Sequence, residues 1–320
     1  MNISITDTGS GIANKLAEVL GATVNGRFIY IPPNKGGGYI TGFSWGDELR
    51  MMIRNYYLKE ALHIERTNIL AKGQTDIIFQ LSGIFPSIDP YADGDRTAER
   101  ANMVICKHTV SSVMSMPSDT NFASITIAVS RSYLNALFDG LKHPIVTSIL
   151  KGDDDFIYES AVSAAIIDTA GCFLRQVVPE SLENQFYKLK CKEILCYAIG
   201  LLMQREALAP SLMHIQDVKA IYSIKLQLQS NLAQAPDIAA LARNAHMSQP
   251  KLRKMFRQAF GRTVFDYYQF LRMQESARLL KEKHLSVKEV GYQLGFSNLS
   301  HFARVFQMYY GLTPKKFSAS

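Results

Sequence analysis

Ten side chains in the last third of the chain could do recognition chemistry on a polyanion. The first set is Gln249, Pro250, Lys251, Arg253, Lys254 and Arg257, and the second is Asn298, Ser300, His301 and Arg304. Arg and Lys donate to guanine O6 and N7 in a DNA major groove, Gln pairs with adenine, and any of these cations can meet a phosphate. Each set lies beside apolar residues at helical intervals: Leu252, Met255, Phe256 and Phe260 in the first, Phe302, Val305, Phe306 and Tyr309 in the second. The polar residues of the first set fall off that stripe and share the solvent side of a helix. The competing reading of the same residues is a solvated basic face with no partner.

The charge distribution favours the polyanion. From Asp217 to Ser320 there are 16 Lys+Arg against 6 Asp+Glu, a net +10, while the preceding residues hold 19 against 22, a net −3. A basic block on a slightly acidic body suggests a nucleic-acid module joined to something else. Membrane-surface binding would need one continuous basic helix face opposite a lipid-seeking one, and here the cations are scattered over several short helices.

The elements that must position these residues are well punctuated. Val218–Leu232 reads as an amphipathic helix stopped near Pro236, and Asp237 caps a short helix carrying Ile238, Leu241 and Ala242. Ser248 is the expected N-cap of a helix through Phe260, with Pro250 tolerated in its first turn and Gly261 as its stop. Thr263-Val-Phe-Asp266 reads as a capping box opening a helix to about Lys283, with Phe270, Leu271, Ala277 and Leu280 inward. Ser286-Val-Lys-Glu289 is a second box, starting a helix through Leu294, and Gly295-Phe296-Ser297 turns the chain into a last helix. The block repeats itself. Ile238, Leu241, Ala242, Ala245 and Ser248 match Val287, Val290, Gly291, Leu294 and Ser297, and after one inserted residue Leu252, Phe256, Gly261 and Thr263 match Phe302, Phe306, Gly311 and Thr313. Two copies of short helix, tight turn and longer helix are two helix-turn-helix units.

From about Ile221 to Phe317 the sequence resembles the AraC family of transcription regulators. Ser286-Val-Lys-Glu-Val-Gly-Tyr-Gln-Leu-Gly-Phe296, then Ser300-His-Phe-Ala-Arg-Val-Phe306 and Gly311-Leu-Thr-Pro314, carry the resemblance. It departs at Phe317, which is followed by Ser318 where the family has Arg. Lys251-Leu-Arg-Lys-Met-Phe-Arg257 with Thr263-Val-Phe-Asp-Tyr267 is similar to the branch that answers to siderophores. The resemblance implies that Arg253 and Lys254 read bases, that Arg257 meets phosphate, and that Pro250 offers an apolar contact. In the second unit two family contact positions fall on Leu299 and Ala303, which implies anchoring more than reading. The helix from Thr263 to Lys283 would then be a strut holding both recognition helices about one DNA turn (~34 Å) apart.

The rest of the chain is ordinary globular material. Its 320 residues suit about two domains, at 47% hydrophobic and 20% charged. Runs at Arg27–Ile31, Leu49–Leu58, Asp76–Leu81, Met103–His108 and Ala123–Val129 read as strands, separated by clusters such as Pro32–Gly38 and Asp89–Gly94. Ile12, Leu16, Val19 and Leu20 make one apolar helical stripe, and helical periodicity sets in from about Ser160. With the layout common in that family, this predicts an α+β multidomain chain: a β-rich, cupin-like barrel or sandwich as sensor at 1–159, a helical dimerisation segment at 160–208, a linker at 209–217 and an all-α DNA-binding domain at 218–320. Tyr39, Phe43, Trp45, Arg50, Arg54 and Tyr56 are the candidate effector-pocket residues, aromatic walls with polar anchors, against the plain reading of strand aromatics as core. Alternation sends Tyr56 and Tyr57 to opposite faces.

Several chemistries are not expected. His63, His108, His143 and His214 are isolated, Asp153-Asp154-Asp155 reads as a solvated loop, and Gly36-Gly37-Gly38 lacks the context of a phosphate loop, so neither a metal, a cofactor nor an enzyme is implied. Cys106, Cys172, Cys191 and Cys196 fit no disulfide framework and read as reduced thiols, with Cys191 and Cys196 buried. The apolar run Ile194–Met203 is about half the ~20 residues of a bilayer span, and no signal-peptide pattern opens the chain, which predicts a cytoplasmic protein. The expectation is a sequence-specific regulator, an activator acting as a homodimer on double-stranded promoter DNA with RNA polymerase as a further partner, and answering a small molecule such as an iron-siderophore. Two alternatives stand beside it: a regulator controlled by its abundance or by a protein partner, and a modifying enzyme that the basic block targets to DNA.

Overall fold

The structure is a computed structural model that describes residues 2–7, 17–68, 76–86, 97–98, 101–107, 113–116, 118–152, 155–175, 178–205, 215–281 and 285–319. It divides into two compact units, Met1–Leu212 and Met213–Ser320.

The first unit is built on strands β1 (Asn2–Asp7), β2 (Thr23–Asn25), β3 (Phe28–Tyr30), β4 (Gly36–Ser44), β5 (Leu49–Leu58) and β6 (Leu62–Asn68). They continue as β7 (Asp76–Ser82), β8 (Thr97–Ala98), β9 (Asn102–Lys107), β10 (Val113–Met116), β11 (Thr120–Ser130) and β12 (Ile157–Ser160). The large sheet runs β12-β9-β7-β11-β5-β4-β3-β2 with every neighbour antiparallel, and short β8 lies parallel to one end of β11. β1, β6 and β10 form a second, three-stranded sheet.

Alternation gives the large sheet two different faces. Leu49, Met51 and Ile53 on β5 stand in register with Val129, Ile127 and Ile125 on β11, which pair in turn with Ile77, Phe79 and Leu81 on β7. None of the nine is more than 2% exposed. Four helices cover this face: α1 (Arg131–Leu137), α2 (Pro144–Lys151), α3 (Ala164–Gly171) and α4 (Glu180–Met203). The intervening residues Arg50, Met52, Arg54, Tyr56 and Leu58 face the other way. There Tyr56 and Leu58 pack with Ile29, Ile31, Ile40, Phe122 and Leu62, and because Leu62 opens β6 this second core joins the two sheets.

α4 docks through Tyr187, Cys191, Ile194, Leu195, Ala198, Ile199 and Leu202. At its start the Arg27 guanidinium donates to both Glu183 carboxylate oxygens, at 2.7 and 2.5 Å, and lies 4.7 Å over the Phe43 ring. That bidentate pair holds the Glu183 carboxyl below its ordinary range. Trp45 Nε1 donates to Asn184 Oδ1 at 2.8 Å beside it.

The strand expectations at 49–58, 76–81 and 123–129 match β5, β7 and β11 closely. Three features differ. Helices α1 and α2 and strand β12 lie where no helical period stood out, because helices of 7 and 8 residues are shorter than the window in which a 3.6-residue period shows. Gly36–Gly38 open β4 instead of forming a loop; a Cβ on Gly36 would meet Tyr57 O at 2.0 Å, so glycine permits the close approach to β5. Cys196 is exposed, not buried, because it lies opposite the docked side of α4.

Ile12, Leu16, Asp89–Gly94, His108, Asp153, Asp154 and 209–214 lie outside the described residues, and Val19 and Leu20 fall in a helical turn at 17–20. Among the described residues no helix is long and apolar enough to cross a membrane, and no His, Cys, Asp and Glu group could hold a metal.

The second unit is all helix: α5 (Ile215–Ser230), α6 (Ile238–Asn244), α7 (Gln249–Phe260), α8 (Val264–Lys281), α9 (Val287–Gln293), α10 (Leu299–Tyr310) and α11 (Pro314–Ala319). α5 begins at Ile215, inside the expected linker.

Candidate nucleic-acid interface

Two helix-turn-helix units are assembled from their caps. Asp237 Oδ1 accepts from the Ala239 and Ala240 amides at 2.8 and 3.2 Å and starts α6. Ser248 Oγ accepts from the Lys251 amide at 3.4 Å and starts α7, with Pro250 in the first turn, where a missing N–H costs nothing. In the second copy Ser286 and Glu289 form a reciprocal box, Ser286 N to Glu289 Oε2 at 2.9 Å and Glu289 N to Ser286 Oγ at 3.2 Å. α7 and α10 both end on a left-handed glycine, Gly261 at φ 68° and Gly311 at φ 71°.

The copies differ at the turn. α10 is capped by Asn298, whose Oδ1 accepts from the His301 amide at 3.0 Å. Asn298, not Ser297, is therefore the counterpart of Ser248, and the extra residue sits inside the second turn.

The connecting helix α8 ties the copies together. Thr263 Oγ1 starts it, accepting from the Asp266 amide at 3.1 Å and donating to Asp266 Oδ2 at 2.7 Å. Arg272, 7% exposed, donates Nε and Nη2 to the Leu294 carbonyl at 3.0 and 2.7 Å and Nη1 to Gln269 Oε1 at 2.8 Å. Its guanidinium lies 3.5 Å from the Phe296 ring centroid. Burial lowers the Arg272 pKa, but guanidinium starts so high that the group stays charged. Tyr268 Oη donates to the Leu232 carbonyl at 3.0 Å, and Tyr310 Oη to the Met273 carbonyl at 3.2 Å. Gly295, at φ 75°, lies so close to this junction that a Cβ would stand 1.8 Å from Ala233 O. Gly295 falls in the turn expected at Gly295-Phe296-Ser297, whereas Arg272 did not stand out in the sequence; the signal available for it was a cation flanked by the inward residue Leu271 and by Met273.

All six residues of the first set are exposed on α7, opposite the buried Leu252, Met255, Phe256 and Phe260. Several of them have partners within the protein. Lys251 Nζ pairs with Asp217 Oδ1 at 2.7 Å, linking α7 to α5, and Gln249 Oε1 accepts from Arg253 Nη2 at 3.4 Å. In the second set Ser300, His301 and Arg304 are exposed on α10, and Asn298 spends its carbonyl on the cap. Leu299 and Ala303 are half-buried, and Leu299 Cδ2 would lie 2.5 Å from a Cβ built on Gly291, so it packs inward on α9.

The six effector candidates of the first unit do not converge. Arg50, Arg54 and Tyr56 share one sheet face, whereas Tyr39 and Phe43 pair with Asn55 and Met51 on the other, and Trp45 is hydrogen-bonded to α4.

Comparison with known proteins agrees with the second unit's geometry. A family described as "Helix-turn-helix domain" matches residues 241–320. The chain is 30% identical over 95 residues to the HTH-type transcriptional regulator GlxA of Rhizobium meliloti, covering 30% of this chain and 29% of that one. It is 21% identical over 145 residues to the HTH-type transcriptional activator RhaR of Yersinia pestis, covering 45% of this chain and 50% of that one. The match thus spans about a third to a half of these relatives, which are regulators rather than enzymes. The DNA-binding domain of AdpA, solved in complex with a target DNA, aligns with 31% of this chain and 90% of its own at 24% identity and a TM-score of 0.30.

Gly295→Ala should destabilise the second unit by at least about 2 kcal/mol, because a left-handed backbone and a carbonyl clash add. Denaturant unfolding of the variant against Gly311→Ala, which is left-handed at φ 71° with open space where a Cβ would stand, separates the two contributions.

Proposed function

We propose, from the premise that residues 241–320 are a helix-turn-helix domain of the AraC type, that this chain is a DNA-binding transcription regulator. The observation that carries the reading is the doubled unit itself, two capped helices presented by one connector within a block of net +10. Arg253 and Lys254 read base edges from the first half of α7, and Arg257 meets phosphate. Lys251 reaches DNA only by leaving Asp217, and Gln249 and Arg253 only by exchanging the hydrogen bond they share for contacts to DNA. Pro250 offers an apolar contact. Ser300, His301 and Arg304 anchor α10 in a second groove. α8, with 18 residues, is about 27 Å long, comparable to the ~34 Å turn that it would bridge.

The first unit acts as the sensor, its sheet offering an effector site that biases the dimer between two states; a coupling of ~1–3 kcal/mol suffices for such control. An activator's role, with contact to RNA polymerase, a cytoplasmic location and an iron-siderophore as one effector candidate, belongs to the same reading. Dimerisation has a specific support in α4. Opposite its docked side, Leu182, Leu189, Cys196 and Met203 recur every seven residues. Three of them, Leu182 at 55%, Leu189 at 65% and Met203 at 39% exposed, offer an apolar seam to a second copy.

Capture of source-genome fragments at fixed, near-physiological salt tests the DNA reading. Wild type is expected to enrich a motif of two blocks about a turn apart, and Arg253→Ala/Lys254→Ala to lose or relax one block by ~1–3 kcal/mol per lost base contact. Equal capture by both proteins without a motif would sink it and leave a general DNA anchor. For the seam, Leu189→Asp should shift the protein to monomer in light scattering at unchanged thermal stability; a dimer that survives the change lies elsewhere.

A further inference from the structure

Asp217 stands in the first turn of α5, and its carboxylate holds a cation from the exposed side of α7. Lys251 Nζ lies 2.7 Å from Asp217 Oδ1, with the lysine side chain 47% exposed and the aspartate side chain 12%. Asp237, Asp266 and Glu289 serve helix starts, and Glu275 pairs with Arg278 three residues on, whereas Asp217 reaches a different helix 34 positions away. The plain reading is a bridge that fastens α5 to α7. Apolar packing already makes that joint: Tyr222 of α5 lies on Phe260 of α7 with ring centroids 5.7 Å apart, and Val218, Ile221, Ile224 and Leu228 of α5 are buried. An ion pair whose lysine is half-exposed adds little to such packing. Beside a polyanion the same pair weighs more, because each cation withheld from phosphate lowers the affinity for every sequence.

Lys251 is the third residue of α7, in the half of a recognition helix that enters the groove. To meet a phosphate there it must give up a carboxylate at hydrogen-bond distance, an exchange of one anion for another that gains little. The exchange would also take this cation from a carboxylate largely withdrawn from water and leave that carboxylate facing the phosphates. We infer that Asp217 is a positioning residue for DNA recognition, an internal stand-in for phosphate that keeps Lys251 out of the DNA contacts and so holds down sequence-independent affinity. Gln249 and Arg253 are a different case, since their 3.4 Å hydrogen bond joins neighbours on one helix and neutralises no charge. Base reading stays with Arg253 and Lys254.

The inference rests on the DNA-binding reading and adds the residue that tempers its strength. The test is the affinity of the full-length protein for a fluorescent duplex of random sequence, at several salt concentrations between about 50 and 200 mM. Asp217→Asn, which keeps the shape and removes the charge, should steepen the fall of log affinity with log salt by about 0.9, one phosphate contact. It should also bind at least about 3-fold more tightly at the lowest salt. Asp217→Asn/Lys251→Ala should return to the wild-type slope, since the closed pair and its neutral replacement both leave that phosphate uncontacted. Asp217→Ser, a neutral residue suited to a first turn, should match Asp217→Asn, so the test survives an Asn variant that does not fold. Neutral variants no steeper than wild type, or a double variant as steep as Asp217→Asn, would overturn the assignment. So would a double variant shallower than wild type, because Lys251 would then reach phosphate in the native protein. A bridge that only fastened two helices would lower thermal stability and leave the slope alone. Fragment capture with the same preparations keeps the two ideas apart. A protein that enriches its motif with all slopes equal loses the Asp217 role only, and one that captures neither motif nor duplex loses both.

Discussion

The placement of α10, the longer helix of the second helix-turn-helix unit, depends on a single guanidinium. Arg272 spends two donors on the Leu294 carbonyl, at the end of α9, while its plane covers Phe296 in the turn that follows. A carbonyl at a helix end needs a partner, and a buried cation needs acceptors; each meets the other's requirement. From that contact the turn is fixed, from the turn α10, and from α10 the outward set Ser300, His301 and Arg304. Gly295 allows the same turn to close on Ala233, and Tyr268 ties α8 to Leu232. Both copies are therefore referred to one connector rather than to each other.

The first unit handles polarity differently. One face of its large sheet is sealed by α1 to α4 with apolar groups almost throughout. The opposite face mixes the apolar cluster around Tyr56 with Arg54, Ser124 and Thr126, all carried on the two central strands β5 and β11. The sheet is thus divided into one face sealed by apolar packing and one that carries polar groups among apolar ones. α4 repeats it at the level of a helix, with a docked side and an outward apolar seam.

Much of the second unit was legible because its signals are local. Asp237, Ser248, Gly261, Ser286 and Gly311 act within four residues of themselves, and caps and stops of that kind are written in adjacent letters. The Arg272 junction and the Lys251–Asp217 pair were not legible, since they join residues 22 and 34 positions apart and nothing in the intervening sequence marks them. The shift from Ser297 to Asn298 has the same origin: Ser and Asn both cap helices, and only geometry chooses between neighbours. In the first unit the longer strands were readable by composition. The effector candidates were readable as residue types but not as a group, because alternation and register, not spacing, decided that Arg54 and Tyr56 share a face that Phe43 and Trp45 do not.

The central claim is that one rigid connector presents α7 and α10 to adjacent grooves of DNA. The direct measurement is affinity for a captured site against versions with half a turn (~5 bp) or a full turn (~10 bp) inserted between its two blocks. The account predicts a loss of at least ~100-fold for both insertions, since the half turn rotates the second block away and the full turn moves it beyond the reach of α8. Unchanged affinity across the three spacings would contradict it, and would mean that the second unit makes no groove contact that the connector positions.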